Sequence, residues 1–491
     1  MAALAASGPG KPVRRSLPAA NDSSIPKPLC CYFRHPRPLK RGLVRLRIRA
    51  SFSEATAVEL MIHSSLKYFA LVFAGYFAIG HPAIAAETNS VSRPGGFHFD
   101  RTISRQVLDN YLSRSIVMEG LLNGRGDLND NIRMLKSIGA KYVGRALCLW
   151  NAEDDFSNNL QRARTAAPQV LAADPDIVLE ACIFETVTPK INQIAIPDRV
   201  FSAFGLPVEK RNFRFDDIIY PEGQRRMMGP NAQVPDESRI ETQMWFYYQA
   251  VSYIDVGCEA IHFGQVEIMN KNDPDNMHWA HLLGMIRNYA ARHARRHMVI
   301  CDGHVPSGGL LHDGNPLLDF NAFPLRIMET PDKPEEAILK LGFSDGLYDR
   351  SKGGKTFSGW TCDHLPYFVE FDNYGVSRHP GQPNIKGEFN WVWGYDEITW
   401  FAHQNQQYRS NWLQYAWNWI RNTDTNGWLE MPGSRTARSP DTKWYFANNP
   451  SPAVPTGLGD EAAIRAVWEA DTAQQAGNLF DGRNDRGFGG R

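Results

Sequence analysis

Short apolar runs alternate with amphipathic helical patterns along most of this 491-residue chain, and this alternation limits the possible folds more than any other feature. Residues 130–138 have helical spacing and end at Gly139, and the apolar run 142–150 follows directly. Residues 159–171 are again helical in pattern and lead into the apolar run 177–185. Apolar strands separated by helices are typical of a parallel sheet covered by helices. The sequence therefore predicts an α/β fold.

Eight apolar runs are candidate strands. They are residues 97–100, 142–150, 177–185, 260–267, 297–304, 322–328, 367–373 and 391–394. Eight strands in a segment of this length predict a (β/α)8 TIM barrel with long loops. A doubly wound open α/β sheet is the alternative, because it shows the same alternation of strands and helices.

The N-terminal part of the chain differs in composition from the rest. Residues 1–60 contain eleven lysines and arginines but only three acidic residues. Residues 61–86 have the order of features expected of a signal peptide: Met61 and Lys67 precede an apolar run, which ends at His81 and Pro82, and Ala83 and Ala85 give the small-residue cleavage pattern. We therefore expect a secreted or periplasmic protein with no stable membrane span after cleavage.

These boundaries predict the organisation of the whole chain. Residues 1–60 are interpreted as a mis-called or disordered extension, with an organelle transit peptide as the rival interpretation. We expect the barrel to span 87–425, a C-terminal segment at 426–481 to pack on it, and the Gly/Arg-rich tail 482–491 to be disordered.

Charge and cysteine content exclude some classes of protein. The chain as a whole is neutral, so the basic first 60 residues leave an acidic remainder, which argues against a nucleic-acid partner. Five cysteines follow the predicted signal peptide at wide spacings without a Cys-x-x-Cys motif, which indicates neither a disulfide framework nor a zinc ribbon. They are Cys148, Cys182, Cys258, Cys301 and Cys362.

Polar and acidic residues recur where the predicted strands end. They are Glu185, Gln265, Glu267, Asp302, His304, Glu329, Glu370 and Asp372. The active sites of α/β barrels lie at the C-terminal ends of their strands, so this set predicts a functional site. Two further charges, Arg145 and Glu180, fall within neighbouring strands and are interpreted as a buried structural ion pair.

The pairs Gln265/Glu267 and Glu370/Asp372 each share one face of a strand, because side chains alternate with a period of two. Two carboxyl groups facing one cavity are what glycoside cleavage needs, since one protonates the leaving oxygen and the other attacks or activates water.

Other strand-end residues fit a carbohydrate substrate. We expect Trp150 or Trp393 to stack on a sugar ring and Asp302 and His304 to hydrogen-bond sugar hydroxyls, with Glu185 and Gln265 as further substrate-binding residues. The leading hypothesis needs no cofactor or metal. A metal-dependent barrel enzyme that uses Asp302 and His304, with His312 and Glu267, is the second hypothesis. A non-catalytic carbohydrate-binding protein is the third.

The order of strands and carboxylates resembles the (β/α)8 retaining glycoside hydrolases. That resemblance implies that Glu267, at the end of strand four, is the acid/base and that Glu370, at the end of strand seven, is the nucleophile, with Asp372 as the substitute. These enzymes often have Asn before the acid/base, whereas this chain has Val266. The stretches at 97–102 and 263–267 are also similar to uncharacterised secreted bacterial proteins of glycoside-hydrolase-like type.

Overall fold

A mostly parallel sheet covered by helices forms the centre of the fold. The computed structural model describes residues 96–222, 228–229, 231–330, 332–384, 390–439 and 441–484, with side chains up to 472 in the last helix. These residues belong to one compact unit. The extension 1–60 and the signal peptide 61–86 lie outside the described residues, as does the tail after Asn484.

The main sheet has seven strands. They are β1 (Ser115–Met118), β2 (Tyr142–Leu147), β3 (Val178–Cys182), β4 (Ala260–His262), β5 (Ile300–Asp302), β15 (Met431–Thr436) and β16 (Trp444–Phe446), in the order β16-β15-β1-β2-β3-β4-β5. Every neighbouring pair is parallel except β15 and β16. From β1 to β5 each strand lies beside the next one along the chain, as expected where helical crossovers connect parallel strands.

A second sheet has the order β14-β13-β8 and is also parallel. Its strands are β8 (Asn321–Pro324), β13 (Tyr367–Glu370) and β14 (Gly427–Leu429), and the intervening chain forms the short strands β6 (Leu311–His312), β7 (Asn315–Pro316), β9 (Met328–Glu329), β10 (Ala337–Ile338), β11 (Gly354–Lys355) and β12 (Thr361–Cys362).

Hydrogen bonds connect the two sheets at two places. At one place, Glu430 lies between β14 and β15, and its N–H donates to the carbonyl of Val369 in β13 (2.9 Å). At the other, His304 forms a parallel bridge with Ala322 of β8, and the Ala322 N–H donates to the carbonyl of Gly303 (3.1 Å).

Most of the helices lie between parallel strands along the chain, while the first precedes β1 and the last follows β16. The helices are α1 (Arg105–Leu112), α2 (Leu128–Ile138), α3 (Phe156–Ala173), α4 (Asp198–Ala203), α5 (Phe215–Ile218), α6 (Ile240–Asp255), α7 (Val266–Met269), α8 (Met277–His293), α9 (Glu397–His403), α10 (Gln406–Thr423) and α11 (Glu461–Asn484). Helix α2 shows why the boundaries fall where they do: the Asp127 carboxylate accepts the Asp130 N–H (2.8 Å), and Gly139 ends the helix with a φ of 78°.

The first and last strands differ from the prediction. Residues 97–100 contain only a local bridge between Asp100 and Thr102, and residues 391–394 contribute only an isolated bridge from Val392 to Tyr395. The first sheet strand is β1. The segment 426–481 was expected to pack on the barrel, but it begins with β14 and β15, which belong to the two central sheets. The sheets therefore continue beyond residue 425, and α11 reaches Asn484.

Aromatic side chains from strands that are not neighbours meet in the interior. The fully buried ring of Tyr142 in β2 lies edge-on to Phe368 of β13, with centroids 6.2 Å apart, and to Phe320 just before β8, at 5.8 Å. Because β2 and β13 are in different sheets, these rings pack across the space between the two sheets.

Candidate active site

Glu370 and Arg145 form a fully buried ion pair across this interior. Glu370 is the last residue of β13, and its Oε2 accepts the Arg145 Nε–H (2.8 Å), while Arg145 Nη2 binds Oε1. Arg145 has a φ of 53° at a point where the pairing of β2 with β3 shifts, which is the geometry of a bulge. The expected Arg145–Glu180 ion pair is therefore wrong: only the backbone N–H of Arg145 donates to Glu180 (2.9 Å).

Two further basic side chains surround the same carboxylate. His304 Nε2 lies 2.9 Å from Glu370 Oε1, and Arg435 Nη2 lies 3.5 Å from Oε2. Burial alone would raise the pKa of Glu370, but the guanidinium groups of Arg145 and Arg435, together with His304, outweigh burial and hold that pKa well below its ordinary value. We call Arg145, His304, Glu370 and Arg435 the charged cluster.

Three other carboxyl groups are buried next to it. Glu180 Oε1 accepts from the Tyr142 hydroxyl (2.5 Å), Asp302 Oδ2 lies 2.7 Å from His262 Nδ1, and Glu430 Oε1 accepts from the Ser115 hydroxyl (2.9 Å). We call Glu180, Asp302 and Glu430 the carboxyl cluster.

The carboxyl cluster differs from Glu370 in the direction of its pKa shifts. Burial raises the pKa of all three groups, and for Asp302 and Glu430 the neighbouring charge of Glu180 raises it further. Gly144 makes room for this cluster, because a Cβ at that position would lie 2.1 Å from Glu430 Oε1.

More exposed charges lie beyond the charged cluster. The Asp372 side chain is 22 % exposed, and its oxygens lie 3.9 Å from Arg435 Nη2 and 3.9 Å from Arg326 Nη1. Glu119, the residue after β1, accepts both the N–H (3.0 Å) and the hydroxyl (2.8 Å) of Thr436 and lies 3.7 Å from Arg435.

The sequence reasoning missed Glu119 and Arg435. Glu119 follows Ile-Val-Met, and a carboxylate directly after an apolar run is the same signal that identified the other candidates. Arg435 follows Met-Pro-Gly-Ser, where no apolar run indicates a strand.

Glu267 has its own surroundings. It lies in α7, beyond the end of β4, and its Oε1 accepts the Ser307 N–H (3.0 Å). Burial raises its pKa, and the hydrogen bonds from Ser307 oppose that shift. Within the described part of the chain, Glu267 and Glu370 form no hydrogen bond with each other, and they have different partners.

The structure does bring Glu185 and Gln265 together. Glu185 accepts the backbone N–H of Gln265 (3.0 Å) and its side-chain amide (2.8 Å). Gly264, with a φ of 54°, permits this close approach, since a Cβ there would lie 2.1 Å from Glu185 Oε2.

The two candidate stacking residues differ in exposure. Trp150 is 42 % exposed and lies edge-on to Phe184, with centroids 5.0 Å apart. Trp393 is 3 % exposed, and its indole N–H donates to the carbonyl of Glu336 (2.8 Å). The prediction that Trp393 stacks on a sugar is therefore wrong, because this burial leaves no free face of the indole ring. The turn around residue 393 directs the indole into the protein.

The residues of the metal hypothesis have separate partners. Asp302 contacts His262, Glu267 accepts from Ser307, and His312 Nδ1 lies 2.8 Å from the carbonyl of Asp275. Among the described residues, no group of three or more histidine, cysteine, aspartate or glutamate side chains is arranged to hold a metal ion. None of the helices in the described ranges is long and apolar enough to cross a membrane.

Comparison with known proteins gives only distant likenesses. No family model and no curated protein matches the sequence. Among solved structures, the chain is similar to the Nostoc punctiforme debranching enzyme (TM-score 0.26, 9 % identity, covering 43 % of this chain and 52 % of that one). It is also similar to an Arthrobacter globiformis T6 isomalto-dextranase complexed with panose (TM-score 0.29, 11 % identity, 47 % and 41 %).

A third similar structure is an isomaltulose synthase variant from Erwinia rhapontici NX5 in complex with sucrose (TM-score 0.22, 11 % identity, 40 % and 44 %). The chain thus spans about half or less of the length of each. These enzymes are of the same class, glycoside hydrolases, that the sequence resembles. The TM-scores are too low for this likeness to indicate what this chain does.

Proposed function

We propose that this chain is a glycoside hydrolase whose active site lies at the C-terminal ends of the strands of a closed (β/α)8 barrel. The sequential strand order and the hydrogen bonds that connect the two sheets at two places support closure. On this count β4 is the fourth and β13 the seventh parallel strand, the positions that the resemblance gives to the two catalytic carboxyl groups.

The observation that carries the proposal is the position of Asp372. It stands two residues beyond Glu370, at the end of β13, where its partly exposed carboxylate lies between Arg326 and Arg435. Glu370 is fully buried, with both oxygens bound by Arg145. We therefore assign Asp372 as the nucleophile or general base. Glu370 is assigned as the group that orients Arg145 and Arg435.

Glu267 is the proposed general acid. An acid catalyst must be protonated near neutral pH, and burial raises the pKa of Glu267 in that direction. Trp150 is the proposed stacking platform, because it is a partly exposed indole at the end of its strand run. The substrate is an oligo- or polysaccharide.

The experiment is turnover of a panel of polysaccharides and aryl glycosides by the full chain. Asp372→Asn and Glu267→Gln should each reduce kcat by about 10²–10⁴-fold without unfolding the protein. Asp313→Asn is the matched control, since its side chain is 89 % exposed and outside the site.

The outcomes separate the hypotheses. Near-normal turnover in either variant removes that residue from the mechanism. Glycan binding without turnover by the unaltered chain would identify a carbohydrate-binding protein instead, and loss of turnover on chelation would favour the metal-dependent enzyme. The configuration of the first-formed product, followed by NMR, distinguishes retention from inversion.

We also propose that the protein is secreted or periplasmic. The support is the order of features in residues 61–86. Sequencing of the mature N-terminus should find a start near Glu87, and recovery of peptides from 61–85 in the native protein would contradict secretion through this segment.

A further inference from the structure

Two cysteine thiols meet at the ends of neighbouring strands. Leu147 of β2 is paired with Ala181 of β3, so the next residues, Cys148 and Cys182, stand level with each other on adjacent parallel strands. Their Sγ atoms are 3.2 Å apart. The sequence did not reveal this contact, because 34 positions separate the two cysteines.

The backbone around Cys148 is held in place. The side-chain amide of Asn123 donates to the Cys148 carbonyl (2.7 Å) and its Oδ1 accepts the Cys148 N–H (3.2 Å). The Cys148 thiol also donates to the carbonyl of Arg145 (3.2 Å), which belongs to the charged cluster. The strand pairing holds Cys182 in the same way, so the two thiols stay adjacent.

We propose that Cys148 and Cys182 are a thiol–disulfide site that closes to a disulfide bond tying β2 to β3 beside the charged cluster. A disulfide needs the sulfurs at about 2.05 Å, so closure requires them to approach by roughly 1 Å, which side-chain rotation supplies. The proposal does not depend on glycoside hydrolysis.

A small disulfide such as oxidised glutathione is the co-reactant. Cys148 is half-buried and Cys182 is fully buried, so the Cys148 thiolate attacks one glutathione sulfur. This forms a mixed disulfide and releases one glutathione, which takes up a proton. The Cys182 thiolate then attacks the Cys148 sulfur and releases the second glutathione. Two protein thiols are oxidised and one disulfide is reduced to two thiols.

The second step is the slow one. Burial, and then the adjacent Cys148, raise the pKa of the Cys182 thiol well above its ordinary value, so little thiolate is present at neutral pH. The rate of closure should therefore increase with pH, while the mixed disulfide on Cys148 accumulates at lower pH.

The test uses the full chain equilibrated with reduced and oxidised glutathione at several ratios, then quenched with acid and alkylated after unfolding. Peptide mapping should find a linked Cys148–Cys182 peptide at oxidising ratios. Cys362 is the internal control, because it is half-buried like Cys148 but has no cysteine partner among the described residues. It should be alkylated or carry glutathione.

Two variants sharpen the result. Cys182→Ser should retain glutathione on Cys148, and Cys148→Ser should leave Cys182 as a free thiol. If the unaltered chain keeps both thiols free at the most oxidising ratio, or keeps glutathione on Cys148 at alkaline pH, the proposal is overturned. Mapping the unaltered chain decides the question even if a variant fails to fold.

Discussion

The charged cluster and the carboxyl cluster lie side by side in the same interior, yet the pKa values of their carboxyl groups are shifted in opposite directions. The guanidinium groups of Arg145 and Arg435, together with His304, lower the pKa of Glu370, whereas burial raises the pKa of Glu180, Asp302 and Glu430. All four side chains are almost completely buried. Burial acts in the same direction on all four groups, and among them only at Glu370 do nearby basic side chains outweigh it.

Burial also raises the pKa of a carboxyl group outside this interior. Glu237 is fully buried beside Asp273, and neither of its oxygens has a hydrogen-bond partner in the described residues. Burial, and then the negative charge of Asp273, raise its pKa to about 10. Glu237 thus resembles the carboxyl cluster in the direction of its pKa shift.

Removal of Arg145 should have the largest effect on this difference. Arg145→Ala leaves Glu370 buried without its main partner, and breaking a buried ion pair costs about 3–5 kcal/mol of unfolding free energy. Denaturant unfolding measures the loss. Lys210→Ala, in an exposed ion pair with Asp198, should cost less than about 1 kcal/mol. Equal losses in the two variants would show that the Arg145–Glu370 pair does not stabilise the fold.

Crowding the carboxyl cluster should have an intermediate effect. Gly144→Ala places a methyl group against Glu430, and overpacking of this kind costs about 1–3 kcal/mol. Gly284→Ala in α8 is the matched control, since a Cβ there meets nothing within 4 Å and should stabilise the helix by about 0.5–1 kcal/mol. In a Glu430→Ala background the cost of Gly144→Ala should fall; an unchanged cost would place the strain elsewhere.

The smallest effect concerns the pH dependence of stability. The folded-state pKa of Glu430 is raised above 4.5, so its contribution is present below pH 4.5 and is lost as the pH rises through the folded-state value. Glu430→Gln mimics the protonated group, so it should change stability by less than about 1 kcal/mol at pH 5 and reduce the loss of stability towards alkaline pH.

Glu370→Gln should change the pH dependence of stability in the opposite direction. Because the pKa of Glu370 is lowered in the folded state, its contribution to the unfolding free energy is present above pH 4.5 and is lost as the pH falls. Unfolding midpoints measured from acidic to alkaline pH compare the two variants, with Glu209→Gln as the exposed control. Parallel pH profiles for the Glu430 and Glu370 variants would contradict the difference between the clusters.

The sequence predicted six of the central strands from their apolar runs, because buried parallel strands need residues that are apolar on both faces. It missed β1, whose four residues follow α1 closely, and β14 and β15, which include Pro432 and Gly433. These segments form strands because they pair with neighbouring strands, and the local sequence pattern does not reveal that pairing.

The candidate site also has some features that the sequence predicts and others that only the structure reveals. The sequence by itself determined which residue types stand at or just beyond the strand ends, including Glu267, Glu370 and Asp372, because that order is written along the chain. Only the tertiary structure decided that Arg145 binds Glu370 rather than Glu180, and that Trp393 is buried. The physical reason is that a bulge in β2 and the pairing of distant strands set which charges face each other, and in a buried interior those partners contribute to the direction of each pKa shift.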